Sequence, residues 1–268
     1  ARSSSAERFR AFAPVEMTDA FRITDYKILK IDKLGTPAQI DGAPLIDGST
    51  HLREYKIKEN TGEPRFPGAE DIRVSNRCGS VFVAAQRAIN VLIPAGYDPG
   101  NPVPAPAEIE HRLDAFVCYK AKVQRRLANG NSVPGLPKGI QMDVVDDLNG
   151  GATRRYDLKK ITRLCRPVAI DGAPLWIAGP NSGEAKPIAA SSVRSPEQNL
   201  VCYAAKPARK NIAQDGCGPL DPSDRGTLIN PAQPRHLRQD GLHTNDAFGA
   251  TIAKTTKEKE ICLPSIIE

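Results

Sequence analysis

Aromatic side chains are scarce. They make up 5% of the 268 residues, and Trp176 is the single tryptophan. That speaks against a surface for single-stranded nucleic acid, which relies on stacked aromatic platforms, and it weakens a lectin reading. Histidine is equally sparse: His51, His111, His236 and His243 stand apart, with no paired zinc-ligand spacing. No Cys-x-x-Cys, haem-attachment motif, phosphate-binding glycine loop, nucleophile elbow or His-Glu-x-x-His occurs. The expectation is a protein that is not an enzyme, with no cofactor. Apolar runs fall short of the roughly 20 residues that span a bilayer, so no transmembrane segment is expected. Long helices are hard to place among 23 Pro and 21 Gly spread along the chain.

Alternation and turns are present instead. Ile140, Met142 and Val144 alternate with Gln141 and Asp143, an apolar face opposite a polar one. Asp246-Ala247-Phe248-Gly249 and Asp147-Leu148-Asn149-Gly150-Gly151 read as tight turns, with Gly supplying positive φ at little cost. The spacing from turn to proline recurs. Fifteen residues separate Gly249 from Pro264, Gly79 from Pro94 and Arg22 from Pro37, and sixteen separate Gly151 from Pro167. A second motif is an apolar pair, Cys-Tyr, and Lys three residues later. It appears as Phe116-Val117-Cys118-Tyr119 with Lys122 and as Leu200-Val201-Cys202-Tyr203 with Lys206; Leu52-Arg53-Glu54-Tyr55 with Lys58 is a degenerate copy.

Where Glu54 replaces the first cysteine, Leu92 replaces the second. Half a disulfide is of no use, so the joint presence or absence pairs Cys118 with Cys165 and Cys202 with Cys262. The loops closed span 47 and 60 residues, for which chain entropy gives about 4 kcal/mol each as an upper figure. Cys78 and Cys217 remain: they pair with each other, cross-link molecules, or stay free. Structural disulfides imply an oxidising compartment, and a chain beginning at Ala1 without Met fits a secreted protein whose signal peptide has been removed.

The set Cys-Tyr-x-x-Lys, Asn/Asp-x-Phe-Gly and Leu-Cys-x-Pro resembles a family of secreted bacterial tandem repeats of unknown function, carried in series on cell-surface or extracellular proteins. The match is best for Cys118–Pro167 and Cys202–Pro264 and weaker for Leu52–Pro94. The resemblance implies compartment and architecture rather than an activity. The expected fold is all-β: tandem small β-sheet or sandwich-like repeats with disulfides inside the repeats. The segments are 1–45, a truncated N-terminal repeat; 46–107, a degenerate repeat without the disulfide; 108–175, a stapled repeat; and 176–268, a stapled repeat with long loops. Asp98 to Pro106, with four prolines, reads as a semi-rigid extended linker. The hexapeptide Ile-Asp-Gly-Ala-Pro-Leu at 40–45 and 170–175 reads as a turn between units. Thr18 to Pro37 matches only the second half of a unit, with Gly35 in the cysteine position and Phe9-Arg10-Ala11-Phe12 a poor first strand. Such a unit has unpaired edges that invite strand addition, in cis or in trans.

Candidate binding residues are few. Arg154, Arg155, Lys159, Lys160 and Arg163 concentrate positive charge, in a chain of net charge +6 and pI near 9.0, and form a candidate site for an anionic polysaccharide. The alternative is an edge strand guarded by Lys against aggregation. Asp143, Asp146, Asp147 and Asn149 are weak calcium candidates, as are Asp221 and Asp224; ordinary polar turns compete with both. The leading expectation is a non-catalytic extracellular structural or assembly protein, such as a subunit of a surface layer, sheath or filament. Its partners would be copies of itself or another cell-surface protein. The alternative is a binding module for an anionic envelope glycan or polymer.

Overall fold

A computed structural model describes residues 14–268 apart from 46, 108–109, 172–173, 177–184, 188–190, 213–216, 218–225, 230–231, 234–235 and 237. The chain is almost entirely strand. In order these are β1 (Val15–Thr18), β2 (Ile23–Gly35), β3 (Ala38–Ile40), β4 (His51–Glu59), β5 (Ala69–Asn76), β6 (Gly79–Asp98), β7 (Ala115–Val123), β8 (Gln141–Asp146) and β9 (Arg154–Ile170). There follow β10 (Pro174–Trp176), β11 (Ala185–Pro187), β12 (Asn199–Pro207), β13 (Lys210–Asn211), β14 (Thr227–Leu228), β15 (Leu242–Asp246), β16 (Gly249–Ala253) and β17 (Glu260–Ile267). Thirteen of them join one sheet; β10 with β11 and β13 with β14 form two small ladders. Among the described residues no helix is long and apolar enough to cross a membrane.

The hairpin turns are set locally. In each, an Asp or Asn side chain accepts N–H groups of its own turn: Asp19 from Phe21 and Arg22, Asn76 from Cys78, Asp146 from Asn149, Asp246 from Phe248. The third turn is capped by Asp146, with a short 3-10 turn over Asp147–Asn149. Gly79 and Gly249 take positive φ, where a side chain would be strained.

The sequence segments do not sit side by side as separate sheets. Long, bent strands pass between neighbours, and their bulges let one strand serve several partners. The 20-residue β6 pairs with β4, β5, β7 and β15, and the 17-residue β9 with β1, β7, β8 and β12. One relative register recurs four times. Met17 faces Ile170, Val74 faces Ile267, Val144 faces Ile40 and Thr244 faces Tyr97. Each pair joins the position two before a turn Asp or Asn to the position three after Pro167, Pro264, Pro37 or Pro94.

The main core gathers buried residues from most strands, among them Val15, Met17, Tyr26, Ile28, Tyr55, Val83, Val117, Tyr119, Met142, Leu164, Val201 and Leu263. A second, smaller cluster contains Leu92, Phe116, Cys118, Cys165 and Cys202, with Leu52, Leu200 and Cys262 against it. Gln141 departs from simple alternation. It is buried, and its amide bonds Asp157, the Lys210 carbonyl and the Ile212 N–H, so a polar residue inside is fully paired. The proline-rich segment packs on the sheet: a Cβ at Gly96 would meet the Pro104 carbonyl at 2.5 Å, and Asn245 Nδ2 donates to the Val103 carbonyl.

Candidate functional site: an open seam in the sheet

Seven strands run consecutively, β2–β4–β6–β7–β9–β12–β17, each hydrogen-bonded to the next. This arc curls until its ends face one another. Lys33 Nζ of β2 lies 2.8 Å from Glu260 Oε2 of β17, yet no backbone hydrogen bond joins the two strands among the described residues.

The pairing within the arc shows what an eighth strand would complete. Glu54 faces Leu92 across β4 and β6, Cys118 faces Cys165 across β7 and β9, and Cys202 faces Cys262 across β12 and β17. In each case the second residue stands two before a proline. Gly35 stands two before Pro37, on β2, and among the described residues faces only Leu52 of β4. Disulfides join Cys118 to Cys165 and Cys202 to Cys262, and a third joins Cys78 to Cys217. The first two bridge directly opposed positions of adjacent strands and lie side by side, with Cys165 Sγ 3.9 Å from Cys202 Sγ.

Glu54 is buried where its counterparts are cysteines, and burying a lone carboxylate is costly. Arg163 Nη1 at 2.8 Å and Lys33 Nζ at 2.9 Å neutralise it. Glu260 completes the cluster, 2.7 Å from Arg163 Nη2 and hydrogen-bonded by the Thr162 hydroxyl. Burial would raise the Glu260 carboxyl, but Arg163 and Lys33 outweigh it and hold it below its ordinary value. The two ends of the arc are thus joined by a charge cluster of Lys33, Glu54, Arg163 and Glu260.

A second recurring contact joins three of the four turns to Tyr119, Tyr203 and Tyr55. Tyr119 donates to Asp19 Oδ2 at 2.7 Å, Asn76 Nδ2 donates to the Tyr203 hydroxyl at 2.9 Å, and Tyr55 donates to Asp246 Oδ2 at 2.8 Å. The fourth turn residue, Asp146, accepts from Asn149 within its own turn, and no tyrosine hydroxyl reaches it among the described residues. Burial raises its carboxyl above the usual range.

The basic candidates do not make a stripe. Arg154 is buried and pairs with Glu258 at 2.7 Å, Arg155 pairs with Asp143 at 2.6 Å, and Arg163 lies in the charge cluster. Lys159 pairs with Asp157 at 2.9 Å, and Lys160 is exposed beside it. Alternate residues of β9 face opposite sides of the sheet, so the five charges are divided and most are already neutralised. Asp143, Asp146 and Asp147 do not converge as a calcium site. The two Asp143 oxygens are taken by Arg155, Asp146 caps its turn, and among the described residues no group of three metal-ligating side chains forms. Asp221, Asp224 and Phe9–Phe12 lie outside the described residues, as do parts of the long loops at Trp176–Glu197 and Pro207–Gly241.

No family model matches this chain, nor does any curated protein or solved structure.

Proposed function

We propose that this is a non-catalytic extracellular assembly protein that joins others by accepting a β-strand. The observation carrying the reading is the seam between β2 and β17. Among the described residues the two end strands of the seven-strand arc meet through the Lys33–Glu260 ion pair and share no backbone hydrogen bond. Buried or half-buried N–H and C=O groups need partners, and an added strand supplies them along both edges at once. The recurring registers support a fourfold tandem repeat in which one strand of the first repeat is not among the described residues. Three disulfides accord with an oxidising compartment. The alternative, an anionic-glycan module, is disfavoured because Arg154, Arg155 and Arg163 of β9 are engaged by carboxylates. Light scattering and electron microscopy on concentrated protein test the reading. Concentration-dependent assembly is expected from the chain or from a form lacking residues 1–13, and a strict monomer in both forms overturns it.

A further inference from the structure

We infer that the rim of the arc's concave face is a docking surface for a linear polysaccharide that carries carboxylates. The inference goes beyond the assembly reading and does not depend on it. It rests on residues other than Arg154, Arg155 and Arg163, and gives an assembly protein a ligand rather than a different role.

The basic residues that carry it recur at fixed offsets. Seven positions before Pro37, Pro94, Pro167 and Pro264 stand Lys30, Arg87, Lys160 and Lys257, and three after Tyr55, Tyr119 and Tyr203 stand Lys58, Lys122 and Lys206. All of them are exposed. None has an ion pair among the described residues.

The registers bring these offsets to one face. Lys27 faces Lys58 and Lys30 faces Lys56 across β2 and β4. Arg87 stands in the β6 bulge opposite Lys120, between the Ala85–Ala121 and Ala88–Tyr119 pairs. Lys160 stands in the β9 bulge opposite Ala204, between the Leu158–Ala205 and Ile161–Tyr203 pairs. Lys257 continues the set in the connection from β16 to β17. Alternate residues of a strand share a face, so Lys58, Lys122 and Lys206 lie on the side of Glu54, Cys118 and Cys202. That side is the inside of the curl: Glu54 of β4 meets Arg163 of β9 at 2.8 Å although β6 and β7 stand between them in the arc. The lysines occupy the rows beyond that contact, each about 7 Å further along the strands, where the face opens to solvent.

Like charges directly opposed on a sheet repel. Lys27–Lys58 and Lys30–Lys56 are two successive rows of this kind, and their only carboxylate partner among the described residues is Asp32, 3.6 Å from Lys56. Guarding an edge strand does not account for the set, because β4, β7 and β9 are hydrogen-bonded on both sides. A local rule broken repeatedly at one place marks a functional surface.

The chemistry of the face selects the partner. Positive charges set around a concavity focus their field on an anion. Lys dominates over Arg, whose planar fork suits one fixed anion geometry, so the face reads repeated charge rather than a single group. The exposed large apolar residues include no aromatic among the described residues, which removes the platform that stacks bases. Of those apolar residues only Leu29 stands beside these rows, too little to insert into a lipid surface.

The test is retention of the dilute, unaltered protein on immobilised alginate, a linear uronate polymer, without divalent cations at about 0.1 M salt, where charges more than about 10 Å apart are screened. Retention that falls as salt rises is expected; no retention, or equal retention on neutral dextran, overturns the proposal. The combined variant Lys30→Gln, Arg87→Gln, Lys160→Gln and Lys257→Gln should bind at least about tenfold more weakly. A control with the same change in net charge, Arg73→Gln, Arg77→Gln, Arg112→Gln and Arg238→Gln, should bind within about twofold of the parent. Equal loss in both variants, or in neither, overturns the site. A readout without substitutions is lysine acetylation mapped by peptide analysis. Lys30, Lys58, Lys122 and Lys160 should react more slowly when alginate is present, and unchanged rates overturn the site. Tighter binding to duplex DNA or to vesicles of phosphatidylglycerol and phosphatidylcholine than to alginate overturns the polysaccharide as the partner.

Discussion

Replacing Arg53 should be among the most damaging single changes in this protein. The side chain is almost fully buried and anchors the β15–β16 hairpin to β4. Its Nε donates to Asp246 Oδ2 at 2.6 Å, and Nη1 donates to the hydroxyls of Thr244 at 3.0 Å and Thr251 at 3.1 Å. Nη2 reaches Asp246 Oδ1 and the Gly249 carbonyl. Arg53→Met keeps the stem and removes the charge, leaving the Asp246 carboxylate buried with the Tyr55 hydroxyl and the Phe248 N–H as donors. Breaking one side of a buried pair costs about 3–5 kcal/mol, or roughly 6–15 °C in Tm for a chain of this size. Burial already pushes the Asp246 carboxyl up, and Arg53 is the chief influence pulling it back. Without Arg53 the folded state takes up that proton more readily, so the variant loses stability as pH rises and the deficit shrinks as pH falls. Removing both partners, as Arg53→Met with Asp246→Leu, should recover most of the loss apart from the turn cap. Calorimetry with the disulfides intact reads all three effects. A single variant within about 1 kcal/mol of the parent at mildly alkaline pH, or a deficit that ignores pH, would refute the reasoning.

Three further outcomes follow from the same geometry. Tyr119→Phe removes a hydroxyl bonded to a carboxylate and should cost about 1.5–3 kcal/mol, whereas Tyr203→Phe loses a bond to neutral Asn76 and should cost about 0.5–1.5 kcal/mol; denaturant unfolding showing the reverse order would contradict the assignment. Because the Glu260 carboxyl is held below its ordinary 4.5, its contribution is present above that pH and is lost as pH falls through the lower folded value. Acid unfolding curves of the parent and Glu260→Gln should therefore converge in strong acid, and a constant separation down to the lowest pH would count against the cluster. Finally, Glu54→Cys with Leu92→Cys should oxidise spontaneously, since those positions are opposed as the native pairs are. Closing 38 residues offers about 4 kcal/mol, reduced by the loss of the Glu54 ion pairs, and thiols that remain alkylatable would show that the registers are not equivalent.

The local parts of this fold were legible from the chain alone. Joint presence or absence of cysteines put Cys118 against Cys165 and Cys202 against Cys262, because a strand and the strand ending its own hairpin keep a fixed offset from turn to proline. Asp246 read as a turn residue because an Asx side chain bonds N–H groups two or three positions ahead, within reach of any sequence window; at the Asp147–Gly151 turn the cap fell one residue earlier, on Asp146.

What surrounds these elements was decided only on folding. Asp19 meets Tyr119, Asn76 meets Tyr203 and Asp246 meets Tyr55 across 100 to 191 residues, and no spacing rule names such partners. Arg154, Arg155 and Arg163 concentrated positive charge in the sequence, and only the folded chain decided that each meets a carboxylate, Glu258, Asp143, and Glu54 with Glu260. Glu54 looked like a lost cysteine, and closure of the arc made it the buried centre of an ion cluster. Short-range offsets are fixed by backbone geometry and survive in any context. The worth of a buried charge or a tyrosine hydroxyl depends on which distant edge the curl of the sheet brings against it, and that depends on the whole chain at once.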